Sequence, residues 1–76
     1  MPGALPRDLR AEKAVQLFRR AGGVRRSGKG SHVAIKMPNG QLVTIPCRGT
    51  LKVGLLRAAI RKAGLSVADF LDLMGR

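Results

Sequence analysis

The chain has 76 residues, 45% of them hydrophobic, and 15 Lys and Arg residues against 4 Asp and Glu give it a formal net charge of +11. This length fits one small domain, and the hydrophobic fraction is that of a folded protein rather than a disordered one. No apolar run approaches the ~20 residues of a membrane span. The excess of cations favours a polyanionic partner, which can be nucleic acid, an anionic membrane or an acidic protein.

The N-terminal third of the chain predicts an arm followed by one amphipathic helix. Prolines and a glycine mark residues 1–7 as a flexible arm, and residues 8–76 are expected to form a single domain. Apolar residues repeat at helical spacing from about Leu9 to Ala21, and Gly22-Gly23 ends the pattern. The residues expected to face inward are Ala11, Ala14, Val15, Phe18 and Ala21.

Three strands are predicted in the middle of the chain. A short candidate covers Val24 to Ser27, and a stronger alternating pattern covers His32 to Met37. The turn Pro38-Asn39-Gly40 then leads into a strand over Gln41 to Ile45. This succession is typical of an antiparallel sheet.

The turn type decides which residues of the last two strands face each other. A two-residue Asn-Gly turn would pair Lys36 with Val43 and so place a charge opposite a core valine. A type I turn that ends in a left-handed glycine pairs Ile35 with Val43 instead. The next pair is then Val33 with Ile45, and one face of the sheet is wholly apolar. We prefer this register, which gathers four residues on the opposite face: His32, Lys36, Leu42 and Thr44.

The C-terminal third predicts a loop and two helices. The loop covers Pro46 to Leu51, and a long helix follows from about Lys52 to Ala63. Ser66 to Asp69 resembles a capping box at the start of a short last helix. The order of elements predicts an α+β domain with its helices on one face of a three-stranded antiparallel sheet.

Cysteine usage and the first residues favour a reducing compartment. Cys47 is the only cysteine, so an internal disulfide is impossible, and we interpret it as a packing residue at a strand end. The stretch from Met1 to Arg10 lacks the apolar region of a secretory signal. We therefore expect a cytoplasmic protein.

The candidate site is the segment Gly28-Lys29-Gly30-Ser31-His32. His32 is the only histidine in the chain, and an imidazole can give or take a proton near neutral pH. Glycines let the backbone approach a ligand closely, and the surrounding cations favour phosphate chemistry. The four acidic residues lack metal-ligand spacing, so we predict no metal and no cofactor.

These segments together resemble the HicA family of type II toxins. The resemblance rests on Lys29-Gly30-Ser31-His32, on Pro38-Asn39-Gly40, on Val43 to Pro46 and on the stretch from Leu51 to Ser66. It implies an αβββα fold like that of double-stranded-RNA-binding domains and endoribonuclease activity on mRNA. It further implies an active-site histidine, carried here by His32, and neutralisation by a HicB antitoxin.

Given this resemblance, His32 is the candidate general base toward the 2′-hydroxyl of RNA. Candidate RNA-binding residues are Arg25, Arg26, Lys29, Gly30, Ser31, Lys36 and Arg48. The face that carries His32, Lys36, Leu42 and Thr44 is expected to contact the antitoxin. Two other functions remain open at this stage. One is a non-catalytic RNA-binding module, and the other is an inactive relative that only binds an antitoxin.

The chain departs from the family's usual pattern at three places. Gly23 stands where an aromatic residue is usual, which predicts a thinner core there. Arg10 stands where the first helix usually has a hydroxyl cap. The loop from Pro46 to Thr50 is short for the family.

Overall fold

A computed structural model describes residues 5–26 and 30–75 of the chain. The described residues form three helices and five strands, in the order β1 Leu9–Arg10, α1 Ala11–Arg20, β2 Val24–Arg26, β3 His32–Lys36, β4 Leu42–Pro46, β5 Thr50–Leu51, α2 Val53–Lys62 and α3 Val67–Met74. The last residue of the short predicted strand, Ser27, lies outside the described residues, as do residues 1–4 of the predicted arm.

The predicted α+β class is confirmed, and the architecture is compatible with the fold of double-stranded-RNA-binding domains. Strands β2, β3 and β4 form an antiparallel sheet in that order. Helix α1 contacts β2 and β3, helix α2 contacts β4, and α3 packs against both helices. The core lies between the helices and one face of the sheet. Its largest members include Phe18 and Phe70, whose ring centroids are 5.3 Å apart.

The predicted register of the β3–β4 hairpin is confirmed. Ile35 pairs with Val43 and Val33 pairs with Ile45, and all four are buried. Gly40 has a φ of 88°, the left-handed conformation that glycine adopts without steric cost. The Met37 carbonyl accepts the Gly40 N–H at 2.9 Å, as expected for a turn followed by a glycine bulge.

Both long helices end in the same way, with a glycine at positive φ. In α1 the N–H of Gly23 donates to the Phe18 carbonyl and that of Gly22 to the Arg19 carbonyl, each at 3.0 Å. In α2 the N–H of Leu65 donates to the Ile60 carbonyl in the same manner. This pattern is the Schellman motif, which satisfies carbonyls that a helix end would otherwise leave unpaired.

The turn between β3 and β4 lies against both of these helix ends. The Asn39 side-chain amide donates to the Lys62 carbonyl at 3.1 Å, and its oxygen accepts the Gln41 N–H at 3.0 Å. On the other side, a Cβ placed on Gly22 would come within 2.8 Å of the Pro38 ring. The turn therefore holds the C-terminal ends of α1 and α2 next to each other.

The predicted capping box at the start of α3 is present in full. The Asp69 N–H donates to the Ser66 hydroxyl at 3.0 Å, and the Ser66 N–H donates to the Asp69 carboxylate at 3.1 Å. Two donors at the helix start are thereby satisfied. Of the inward residues predicted for this helix, Phe70 is fully buried, while Val67, Leu71 and Met74 are partly buried against the core.

The predicted loop from Pro46 to Leu51 is only partly a loop, because its last two residues form β5. This strand pairs with β1, so that Leu51 lies opposite Leu9. The predicted helix start at Leu9 was therefore two residues early. A strand of two residues is too short for an alternation of apolar and polar residues to be recognised in the sequence. The Ala11 N–H donates to the Gly49 carbonyl at 2.9 Å, whereas Arg10 makes no side-chain cap.

The thinner core expected at Gly23 stays a prediction, but the structure shows that this residue is closely packed. A Cβ on Gly23 would lie 2.6 Å from the Ile35 side chain, 2.7 Å from the Met37 sulfur and 2.8 Å from the Phe18 carbonyl. These atoms already fill the space, so no void is present for an aromatic ring to occupy.

Near the N-terminus, Leu5 is only 5% exposed and joins the core. The division of the chain into an arm of residues 1–7 and a domain of residues 8–76 stays a prediction.

Candidate nucleic-acid interface

The sheet face opposite the helices, called here the outer face, carries most of the predicted site. Residues directly opposite each other in an antiparallel ladder point to the same side. Across the three strands this gives three rows, each of which runs through one residue of β3. The rows are Val24–Lys36–Leu42, Arg26–Ala34–Thr44 and, at the end of β3, His32–Pro46. The structure thus places His32, Lys36, Leu42 and Thr44 on one face, as predicted, and all four are exposed.

His32 is the first residue of β3 and sits at one end of the outer face. Its partner across the ladder is Pro46. The preceding residue, Ser31, is held by the Cys47 N–H, which donates to the Ser31 carbonyl at 2.7 Å. The backbone that carries the imidazole is therefore tied to the end of β4, while the imidazole itself faces solvent.

The Ser31 hydroxyl lies 3.4 Å from the Nδ1 atom of His32. This distance is at the long end for a hydrogen bond, and the direction of donation depends on the tautomer. When Nδ1 carries the proton and donates it in a hydrogen bond to the Ser31 hydroxyl, Nε2 is left with a free lone pair. That lone pair can accept a proton from another group. This tautomer is the one that suits a general base.

The predicted cations divide between the two faces of the sheet. Arg26 pairs with Ala34 and shares the outer face with His32, whereas Arg25 pairs with the buried Ile35 and points to the helix side. Lys36 is on the outer face but lies four residues along the strand from His32, which corresponds to ~13 Å. The backbones of His32 and Lys36 are therefore at opposite ends of β3.

The loop after β4 brings another cation toward His32. Arg48 is exposed and follows Cys47, which is bonded to Ser31. Gly30 is exposed with a φ of 61° and has open space around it, so the chain there leaves room for a ligand. Lys29 and Gly28, also predicted for this segment, lie outside the described residues.

The far end of the outer face carries two exposed apolar residues, and one of them was missed from the sequence. Val24 is 59% exposed and Leu42 is 44% exposed, and they flank Lys36 in one row. Beside this row is a shallow depression of about 400 Å³ lined by Arg26, Ala34, Lys36, Gly40 and Leu42. Val24 escaped notice because a strand of three residues has no alternation from which to assign its face.

Three further features of the described residues bear on function: Cys47, possible metal ligands and possible membrane-spanning helices. Cys47 is partly buried and packs against the core, which agrees with the role predicted for it. Within residues 5–26 and 30–75, no three His, Cys, Asp or Glu side chains come together as a metal site would require. In the same residues, no helix has the length and apolar character needed to cross a membrane.

Comparison with known proteins identifies a family. A family model described as "HicA toxin of bacterial toxin-antitoxin" matches residues 11–65. The match begins at the first residue of α1 and ends just after α2, and so it includes the whole sheet and His32. A search of curated proteins gave no match.

Proposed function

The chain belongs to the HicA toxin family of bacterial toxin–antitoxin systems, and from this premise we propose that it is an endoribonuclease. It cleaves mRNA in the cytoplasm and so stops translation and growth until an antitoxin binds it. The observation that carries the proposal is the position of His32. The only imidazole of the chain stands exposed at the end of the open sheet face, with arginines on neighbouring elements.

The proposed reaction uses the nucleophile that RNA itself contains. His32 removes the proton of a 2′-hydroxyl, and the 2′-oxygen attacks the adjacent phosphorus. The bond from phosphorus to the 5′-oxygen then breaks, and that oxygen takes a proton from water or from a protonated lysine. The products are a 2′,3′-cyclic phosphate, or the 3′-phosphate formed from it by hydrolysis, and a free 5′-hydroxyl. Because the chain has no second histidine to act as the acid, we expect slow turnover.

Charge on the phosphorane is stabilised by cations that reach the same end of the outer face. Arg26 approaches from β2 and Arg48 from the loop after β4. Lys29, one residue before Gly30, is the third candidate. Lys36, at ~13 Å along the strand, is assigned instead to a neighbouring phosphate of the bound RNA.

The test is expression of wild type beside His32→Ala and a matched control, Thr44→Ala. Thr44 is also exposed on the outer face, but its hydroxyl cannot act as a general base near neutral pH. We expect wild type and Thr44→Ala to arrest growth and His32→Ala to be harmless at equal soluble yield. Undiminished toxicity of His32→Ala would refute the catalytic role. RNA binding without cleavage by wild type would instead favour a non-catalytic binding module.

We further propose that an acidic antitoxin of the HicB type covers the outer face. The predicted contacts are His32, Lys36, Leu42 and Thr44, and the exposed Val24 extends the same surface. Apolar side chains rimmed by cations suit a protein interface, and a negatively charged partner would be captured quickly by a chain of charge +11. Inhibition follows because the bound antitoxin excludes RNA from His32.

The chain offers a closely matched pair of variants for this interface. Leu42 and Leu55 are both 44% exposed, but Leu42 lies on the outer face and Leu55 lies on α2. We expect Leu42→Asp to weaken the complex with the antitoxin and Leu55→Asp to leave it unchanged. The opposite result would place the antitoxin on the helices.

A further inference from the structure

A second basic surface lies around the free edge of the sheet, on the side of the helices. This edge groove, as it is called here, has a volume of about 400 Å³ and is lined by Arg19, Gly23, Val24, Arg25 and Arg26. Arg19 comes from the last turn of α1, and the remaining residues belong to β2 and the residue before it. Strand β2 is the edge of its sheet, so nothing in residues 5–26 and 30–75 covers the groove from outside.

The arginines of the edge groove are not needed to complete the fold. Within the described parts of the chain, no carboxylate forms an ion pair with Arg19, Arg25 or Arg26. The carbonyls of Leu17, Phe18 and Arg19 near the end of α1 accept backbone N–H groups of residues 21–23, and so they do not require arginine donors. Three exposed guanidinium groups that have no anionic partner among residues 5–26 and 30–75 suit a phosphate, because each guanidinium can bind a phosphate with two parallel hydrogen bonds.

Arg26 connects the edge groove with the outer face. It lines the edge groove and also the depression beside Lys36 and Leu42. From His32 a path of cations therefore leads across the outer face to Arg26, and then around β2 to Arg25 and Arg19.

We propose that the RNA strand cleaved at His32 continues around the free edge of β2 and places flanking phosphates in the edge groove. This inference rests on the proposed function. The contacts are to the RNA backbone, because aromatic residues for base stacking are scarce: the chain has two, and Phe18 and Phe70 are both buried. Binding in the edge groove is therefore independent of base sequence and depends on the length of RNA on one side of the cut.

The experiment measures binding of uncleavable, 2′-O-methylated RNA by the full chain as a function of salt. Two probes are used, of ~4 and ~12 nucleotides, which span the range of single-strand sites in small nucleic-acid-binding folds. The variants are Arg19→Ala/Arg25→Ala and the control Arg57→Ala/Arg61→Ala. The control removes the same charge from exposed positions on α2.

Loss of two phosphate contacts on a single strand lowers the slope of log K against log salt by about 1.4, which at 0.1 M salt is about a 25-fold loss of affinity. We expect this loss for Arg19→Ala/Arg25→Ala on the long probe and no change on the short one. The control pair should lose much less on either probe.

Three results would overturn the inference while leaving the proposed function intact. They are equal losses on both probes, equal losses in the control pair, and unchanged binding of the long probe by Arg19→Ala/Arg25→Ala. Failure of the proposed function itself would give a different result: the wild-type protein would neither bind the short probe nor cleave the unmethylated form of that probe.

Discussion

Gly23 is the position where a single added carbon should have the largest effect on stability. In Gly23→Ala the new methyl group would lie at 2.6 to 2.8 Å from the Ile35 side chain, the Met37 sulfur and the Phe18 carbonyl. Two of these atoms belong to the packed core, and the third is backbone at the end of α1. The Met37 sulfur is on a flexible side chain, but the Phe18 carbonyl cannot move without disturbing the Schellman motif, and Ile35 is fixed in β3. Forcing extra carbon into a packed core costs ~1–3 kcal/mol.

The expected change is measurable because a domain of this size has little stability to lose. At 0.05–0.15 kcal/mol per residue, 76 residues give roughly 4–11 kcal/mol. A loss of 1 kcal/mol lowers the melting temperature of such a domain by about 4–8 °C. We therefore expect Gly23→Ala to melt at least ~4 °C below wild type in a thermal unfolding experiment followed by circular dichroism.

The same substitution at Gly54 is the control, and the opposite sign is expected there. Gly54 is in α2, and a Cβ placed on it meets nothing within 4 Å. Alanine is favoured over glycine in helices, so Gly54→Ala should gain roughly 0.5 kcal/mol. Equal melting temperatures for wild type and Gly23→Ala would refute the packing described around Gly23.

Three further outcomes are expected. Asn39→Ala should lose about 1–2 kcal/mol in urea unfolding, because it removes the hydrogen bonds to Lys62 and Gln41, and a neutral Asn39→Ala would contradict the bonded turn. Ser66→Ala should cost about 1 kcal/mol by the same measurement through loss of the α3 cap, whereas Ser66→Thr should restore most of it. Cleavage should persist in EDTA and should stop when the 2′-hydroxyl at the cut site is methylated; activity on the methylated substrate would exclude the mechanism proposed for His32.

The parts of the fold that were predicted from sequence are those where periodicity and turn chemistry agree. The β3–β4 hairpin is the clearest case, because only one turn type kept Lys36 away from Val43, and that register is the observed one. Ser66 and Asp69 predicted their capping box from local spacing alone. In both cases the determining contacts lie within a few residues along the chain.

The parts that escaped prediction depend on contacts between distant segments. The pairing of Leu9 with Leu51 joins two strands of two residues each, and neither has a pattern of its own. The close neighbours of Gly23 are Ile35, Met37 and Phe18, which are distant from one another in sequence, so the departure at Gly23 did not reveal how closely this residue is packed. Arg25 and Arg26 point to opposite faces because of the register between β2 and β3. The sequence between these two strands has no recognisable turn type from which that register could be predicted.

The turn between β3 and β4 has a consequence for how the domain opens. Its Asn39 and Pro38 contact the C-terminal ends of α2 and α1, so neither helix end can fray while the turn remains folded. Amide hydrogens at these three places should therefore exchange with solvent together, at the rate of one cooperative unfolding unit.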